Sequence, residues 1–591
     1  MQTIKRSCYC GEVSEKFLNK ELSLAGWVNT KRDHGGLVFV DLRDRTGLVQ
    51  LVFNPDLDAN MFDLAQNLKQ EYVVNVQGKL INRAPHLIND KLSTGKFEVL
   101  VSKLIVLSKS KTLPFQMDNV ESVDEELRLK YRYLDLRSPR NHKNFKMRHD
   151  VILTIRKYMD EQGFYEIETP ILSKSSSEGA RDFLVPSRLL PGTFYALPQS
   201  PQVYKQLLMA SGMDKYFQIA RCFRDEDLRA NRQPEFTQFD LEMSFVEEND
   251  VKKIVEGVLE VIWEKALGIK LNLPLASMSF DEAFAGYGND KPDLRFESKI
   301  NDVTNLFVGA GVKFLQQVID DGGKIGAIMF DSKKFSRSEL DNWVAFATTK
   351  LKVAGLVYIK FDESGNVESP IAKFLAKDFF EKIKAYVSGV STNSTLFFIA
   401  GKYKEAWAAL GKLRLELGKN LNLMDPSKFA FTWVERFPMF EWSEELKKWN
   451  TVNHPFTQPQ KGWKEMNLED IRSRSYDIVC NGEEIGGGTI RIHDTTEQAK
   501  VFEIIGMSPE VAQKSFGFLL EAQTLGFPPH GGLALGVDRI IMTLVNTDSL
   551  RDVIAFPKTN TGSCLLMETP SVVDEKQLKD LFLKSTVKPK E

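Results

Sequence analysis

Apolar and polar residues alternate along most of the first hundred positions. Leu22–Val28, Leu37–Leu42, Leu48–Phe53, Tyr72–Gly78 and Phe97–Val106 each read as a strand. Met61–Lys69 reads as a helix between the third and fourth strands. Five strands and one helix predict a small barrel, a form that either binds oligonucleotides on its face or is purely structural. The alternation breaks from Ser108 to Lys143, as in a linker. The period then becomes helical over Asn144–Gln162, with Val151, Ile155, Tyr158 and Met159 on one side and Gly163 as terminator. A strand over Phe164–Leu172 follows, Pro170 marking an edge or bend. Tyr216–Ala220 and Phe236–Phe245 alternate again, predicting two antiparallel strands joined by a long polar loop. After Tyr287-Gly288 a mixed α/β segment begins, with strands at Gly326–Phe330 and Gly355–Ile359. Phe429–Val434 returns to the earlier pattern. The expected boundaries are 1–107, 108–143, 144–289, 290–418, 419–557 and 558–591.

Composition narrows the class. A chain of 591 residues is long enough for about four domains. No apolar run reaches the length of a membrane span, and MQTIKRSCYCGEV lacks the apolar core of a secretory signal. A cytoplasmic protein without membrane contact is expected. Five cysteines, at 8, 10, 222, 480 and 564, make no ligand-spaced set and read as reduced thiols. The net charge of −2 argues against binding nucleic acid, and DNA in particular, by overall field. Over residues 1–110 Lys and Arg number 15 against 12 acids, so any RNA contact must be local.

The densest chemistry lies at Arg221–Val246, RCFRDEDLRANRQPEFTQFDLEMSFV. Arginine forks on a strand and loop suit a polyphosphate. The interleaved carboxylates suit Mg²⁺ or an amine, and Phe236 offers a face for a base. The same residues could form a surface hairpin of exposed ion pairs, which contribute little.

The pattern FRxE, a loop, then RxPEFTxxDxE resembles motif 2 of the class II aminoacyl-tRNA synthetases. GGLALGVDRI at Gly531–Ile540 resembles their motif 3, about three hundred residues further on. The helix, strand and proline over 144–172 resemble motif 1, which implies a homodimer. GWVNTKRDHGGLVFVDLRDRTGLVQ resembles the OB-fold anticodon domain of the class IIb enzymes for aspartate, asparagine and lysine. The insertion, including SPIAKFL, resembles the α+β GAD domain of bacterial-type aspartyl enzymes. QSPQ-x-x-K at Gln199–Lys205 narrows the likeness to that group. The implied architecture is an OB barrel followed by an antiparallel-sheet catalytic domain interrupted by the insertion.

The resemblance also implies roles. Glu178, Gln202, Lys205, Asp240, Arg224, His454 and Arg491 would hold L-aspartate, with Asp240 orienting Lys205 and Arg491. Arg224 and Arg539 would be catalytic, on the α- and γ-phosphates. Asp225, Glu226, Gln233, Phe236, Glu484, Gly536, Val537 and Asp538 would complete the ATP site. Asp477 and Glu484 would bind the Mg²⁺ that accompanies ATP, and no tightly bound organic cofactor is implied. Arg32, His34, Phe39, Gln50, His86 and Glu98 would read the anticodon of tRNA(Asp). His34 resembles relatives that also charge tRNA(Asn), whereas His86 stands where those relatives often have glycine, so the two signals conflict. No GxxxxGK[ST] loop is present, and no class I HIGH or KMSKS signature. Read without the family, Lys205 is a surface lysine, His454 a structural histidine, Phe39 barrel core and Gly486-Gly487-Gly488 a turn.

Overall fold

The computed structural model describes residues 5–175, 180–229, 231–330 and 335–587. The chain divides into two compact units, Met1–Arg148 with Arg551–Ser571, and His149–Leu550 with Val572–Glu591.

In the first unit five strands close a barrel: β1 Glu21–His34, β2 Leu37–Asp44, β3 Gly47–Phe53, β4 Val73–Asn82 and β5 Phe97–Ser108. Their order is β1-β2-β3-β5-β4, and β4 pairs back to β1. Period-two alternation turns Leu24, Val28, Val40, Leu42, Leu51, Val76 and Val99 into one buried core. The helix between β3 and β4 runs Ala59–Gln66, earlier than the apolar pattern suggested. The Asp58 carboxylate accepts from Met61 N and starts it there. Arg132 is buried and donates to the carbonyls of Arg551 and Ile554, at 2.7 and 2.9 Å, while pairing with Asp135. These bonds hold the returning segment within this unit.

The second unit is built on an eight-stranded sheet. Its order is Ala276–Ser279, Phe431–Glu435, Ser475–Cys480, Glu483–Ile490, His530–Gly536, Glu235–Ser244, Lys215–Phe223 and Tyr165–Glu166. All pairings are antiparallel except the two at the edges. The strand expected over 164–172 is only two residues long; beyond Glu166 the chain leaves the sheet, in keeping with a proline that offers no N–H. The helix Glu248–Leu267 buries Val251, Val255, Leu259, Ile262 and Trp263.

The segment after Tyr287 forms its own five-stranded antiparallel sheet: Asn301–Asp302, Lys324–Phe330, Thr395–Gly401, Val357–Phe361 and Val367–Glu368. A core lies on each side of this sheet. One contains Leu340, Trp407, Leu410 and Leu413, and the other Phe307, Leu315, Phe379 and Ile383. At its root Arg414 is fully buried and lies 3.9 Å over the Phe296 ring. It donates to the carbonyls of Asp293, Phe296 and Ser298 at 2.9, 2.8 and 2.9 Å. Burial lowers its pKa to about 10, leaving it charged at neutral pH. Among the described residues no helix is long and apolar enough to cross a membrane.

Arg414→Met keeps the apolar stem but strands three carbonyls that now accept from a cation. A loss of about 3–5 kcal/mol is expected, seen as a lower midpoint in chemical unfolding followed by the fluorescence of nearby Trp407. An unchanged midpoint would mean that water replaces the guanidinium without cost.

Candidate functional site

The hairpin predicted from the charge-rich stretch is present. Lys215–Phe223 pairs antiparallel with Glu235–Ser244, Phe236 opposite Cys222 and Asp240 opposite Gln218. The second strand also pairs with His530–Gly536, setting Asp240 against Ala534 and Glu242 against Gly532. Side chains two apart share a face, so Asp240 and Glu242 point the same way; Asp240 lines a cleft of about 450 Å³, and Glu242 lies fully buried behind Lys205 and Arg491, which line it too. Gln202 and Lys205 reach it from the helix Gln202–Ala210. His454 comes from a loop, Glu484 and Arg491 from the central strands, and Arg539 from the helix Val537–Leu544.

At the floor two buried cations meet two buried carboxylates. Lys205 Nζ lies 2.7 Å from Asp240 Oδ1 and 3.3 Å from Glu242 Oε2. Arg491 grips Glu242 bidentately, Nε to Oε1 at 2.9 Å and Nη2 to Oε2 at 3.1 Å. The expectation that Asp240 orients both cations is therefore corrected: it holds Lys205, and Glu242 holds Arg491. Register gives the reason. The Arg491 amide bonds the His530 carbonyl, at the Glu242 end of the strand, while Asp240 lies two residues further along. Sequence reasoning missed Glu242, although its DxE spacing from Asp240 on a strand was the signal. A Cβ on Gly532 would stand 2.1 Å from Glu242 Oε2, so only glycine leaves room for that carboxylate.

Burial pushes the Glu242 pKa up, but Arg491 and Lys205 outweigh it and hold the group at about 2. Asp240 moves the other way: burial raises it, and Lys205 only partly offsets the rise. Arg491 Nη1 contacts His454 Nε2, and burial with the nearby cations keeps this histidine's pKa well below its usual value.

Toward the mouth, the Arg224 guanidinium lies 5.2 Å over the Phe236 ring. Arg224 Nε and Gln202 Nε2 are buried donors with no protein partner among the described residues. Glu226 pairs with Arg232 at 3.1 Å, and both line the cleft with Gln233. Arg539 Nη1 is 4.0 Å from Glu484 Oε2. Asp477 faces Gly487, where a Cβ would stand 2.4 Å from its Oδ1. Burial raises the Asp477 pKa well above normal, and the charges of Glu484 and Asp290 add to the rise. Three expected ATP contacts sit differently. Asp225 is exposed beside Arg181 and does not line the cleft. The Val537 side chain is fully buried. Asp538 lines the cleft, but its carboxylate accepts from Thr237 N at 2.8 Å. Glu178 lies outside the described residues.

On the barrel a second polar network runs across four strands, β1, β2, β3 and β5. Arg32 donates to Asp41 at 3.0 Å and to Gln50 at 3.2 Å, and Gln50 donates to Glu98 at 2.8 Å. Phe39 stands opposite Arg32 and is half-buried, which makes its ring a face as well as a support. His34 is exposed before the Gly35-Gly36 turn, whose positive φ values suit glycine. His86 is exposed on the single turn Pro85–Leu87. Arg83, buried 3.9 Å from Glu98, was not expected in this network.

A family model described as tRNA synthetases class II (D, K and N) matches residues 124–560. The chain belongs to this family. A second model, an OB-fold nucleic acid binding domain, matches residues 22–107 of the synthetase. The "Aspartate--tRNA ligase" of Macrococcus caseolyticus strain JCSC5402 is 46% identical over 591 residues, covering 99% of each chain. The "Aspartate--tRNA(Asp/Asn) ligase" of Symbiobacterium thermophilum is 46% identical over 595 residues, covering 99% of this chain and 100% of that one. The asparaginyl-tRNA synthetase of Pyrococcus horikoshii, solved with asparaginyl-adenylate, superposes with a TM-score of 0.59 at 20% identity. It covers 94% of this synthetase and 99% of its own chain, and supports the fold alone.

The two floor carboxylates are expected to behave oppositely when neutralised. The folded pKa of Glu242 lies below the unfolded value, so its stabilisation is present at neutral pH and is lost as pH falls from 4.5 towards about 2. Glu242→Gln should cost about 3 kcal/mol at pH 7. Asp240→Asn should cost less, because burial already opposes that charge and Lys205 keeps Glu242. Unfolding midpoints of the two variants at pH 7 test this; equal losses would refute it.

Proposed function

We propose that this class II synthetase is an aspartate–tRNA ligase. Lys205 and Arg491, paired and fixed at the floor of the cleft, carry the reading. An aspartate side-chain carboxylate is the group that two such cations bind best. Asparagine has the same shape without the charge, and would leave the cations less well satisfied. Full-length likeness to aspartate–tRNA ligases supports the same substrate.

The reaction has two steps. The aspartate α-carboxylate attacks the α-phosphate of ATP, the bond to the β-phosphate breaks, and pyrophosphate leaves with aspartyl-adenylate behind. The 3′-hydroxyl of the tRNA terminal ribose then attacks the adenylate carbonyl and AMP departs. Arg224 holds the α-phosphate while its stem and Phe236 support adenine. Arg539, at the helix start, holds the γ-phosphate. Glu226 and Gln233 flank the nucleotide. Asp225, Gly536, Val537 and Asp538 belong to the same motifs and shape its walls, with Val537 acting through its backbone. His454 closes over the amino acid beside Arg491, Glu178 takes its α-amino group, and Gln202 lines the pocket beside Lys205. Positioning and charge account for such a transfer without a protein base.

Mg²⁺ enters with ATP as part of the substrate. Asp477 and Glu484 suit it: burial first, and the like charges of Glu484 and Asp290 after it, raise the Asp477 pKa, and a cation would relieve that strain on the charged form.

On the barrel, Phe39 stacks an anticodon base while Arg32, Gln50 and Glu98 meet base edges. His34 supports charging of tRNA(Asn) beside tRNA(Asp), as does the dual name carried by some relatives; His86 is the opposing signal. A homodimer is supported by exposed apolar side chains at Tyr165, Ile171, Leu172, Leu189, Leu190 and Phe194. The enzyme works in the cytoplasm.

ATP–pyrophosphate exchange with Mg²⁺ tests the reading. Exchange is expected with aspartate and not with asparagine or lysine; exchange driven by asparagine would overturn it. Arg491→Gln is expected to lower kcat/KM for aspartate by about a hundred- to a few thousandfold, from the 3–5 kcal/mol typical of a broken buried pair. Charging of both tRNA transcripts is expected, and aspartylation confined to tRNA(Asp) would restrict the substrate range.

A further inference from the structure

The inserted five-stranded sheet has two unequal outer faces. The face built from 304–320 and 371–387 exposes Phe314 at 53%, Phe374 at 51%, Tyr386 at 50% and Val308 at 57%. The opposite helices, Arg337–Thr349 and Tyr403–Asn420, expose only Tyr403, at 36%, among the described large apolar side chains. The aromatics are not scattered. A Cβ on Gly311 would stand 2.7 Å from the Phe374 carbonyl, so the turn into the Phe314 helix rests on the Phe374 segment.

Lysines lie among these rings. Lys313 and Lys377 are exposed, and Lys373 Nζ sits 4.9 Å over the Phe374 ring. Lys382 and Lys384 are occupied by Asp378 and Glu381. No ion pair to Lys313, Lys373 or Lys377 is found among the described residues. Protein interfaces favour aromatics but are depleted in lysine. Exposed rings with unpaired cations between them are the usual platform for unstacked nucleotides, each base stacking on a ring and each phosphate meeting a cation.

We infer that this face of the insertion is a second RNA contact, binding an unpaired stretch of the tRNA substrate through Phe314 and Phe374, with Lys313, Lys373 and Lys377 on its phosphates. The inference rests on the reading of the chain as a tRNA ligase. It gives the insertion a role separate from the amino-acid pocket.

The test uses the full-length protein and a tRNA(Asp) transcript. Three variants are compared with the parent: F314A/F374A, K313E/K373E/K377E, and F314Y/F374Y, which keeps the rings. ATP–pyrophosphate exchange without tRNA should be unchanged in all three, since none touches the cleft. The tRNA Kd should rise at least about fivefold in the alanine variant and stay near the parent's in the tyrosine variant. In the charge-reversed variant the dependence of log Kd on log salt should become shallower by about 2. A tRNA Kd within twofold of the parent and an unaltered salt slope would overturn the inference. So would unchanged RNA binding with a changed sedimentation coefficient, which would mark the face as a protein contact. Failure of the parent itself to charge the transcript would instead strike the ligase reading.

Discussion

The second unit depends on a buried square of charge. Lys205, Asp240, Glu242 and Arg491 are withdrawn from water together, and desolvation of each is tolerable only while its partners stay within hydrogen-bond reach. Every element that supplies a member is thereby fixed to the others. The helix of Lys205, the strand of the two carboxylates and the strand end at Arg491 cannot slide past one another without stranding an ion. A register error of one residue would turn both carboxylates to the opposite face of the sheet.

The cleft is stiff at one end and open at the other. The floor is buried and paired, as suits discrimination between two side chains of equal size. Toward the mouth, Arg224 Nε and Gln202 Nε2 have no protein partner among the described residues, and Arg539 Nη1 donates to the Glu484 carbonyl while the Glu484 carboxylate stands 4.0 Å away. In the proposed reaction Arg224 and Arg539 meet the charged nucleotide. Catalysis by positioning needs both conditions, since a site fully paired at its mouth would have to break bonds before it could bind.

Much of this was legible in the sequence because the patterns are local. Strand alternation gave the barrel, and the charge-rich stretch with its apolar flanks gave the central hairpin. The grouping of Lys205, Arg224, His454, Arg491 and Arg539 in one cleft followed from motifs lying far apart in the chain. What escaped is set by register between strands. Whether Arg491 meets Asp240 or Glu242 depends on which residue of a neighbouring strand lies level with it, and no single segment encodes that. Arg83 escaped for the same reason: it leaves the end of β4, and only the closure of the barrel brings it beside Glu98. The edge strand at Tyr165–Glu166 was overestimated because apolar alternation continues to Leu172 although the chain leaves its partner, which itself runs on to Phe223.

Gly532 gives the pocket a history as well as a shape. A Cβ here would meet both the Glu242 carboxylate and the Leu241 carbonyl at 2.1 Å, so drift at this position is blocked. Glu242 in turn cannot be lost while Arg491 remains, and Arg491 cannot be exchanged for a neutral residue without leaving Glu242 short of its counter-ion. A lineage moving towards a neutral amino acid would cross a valley at each single step, and only coordinated replacement of the pair bridges it. The specificity of such a pocket is inherited as a block.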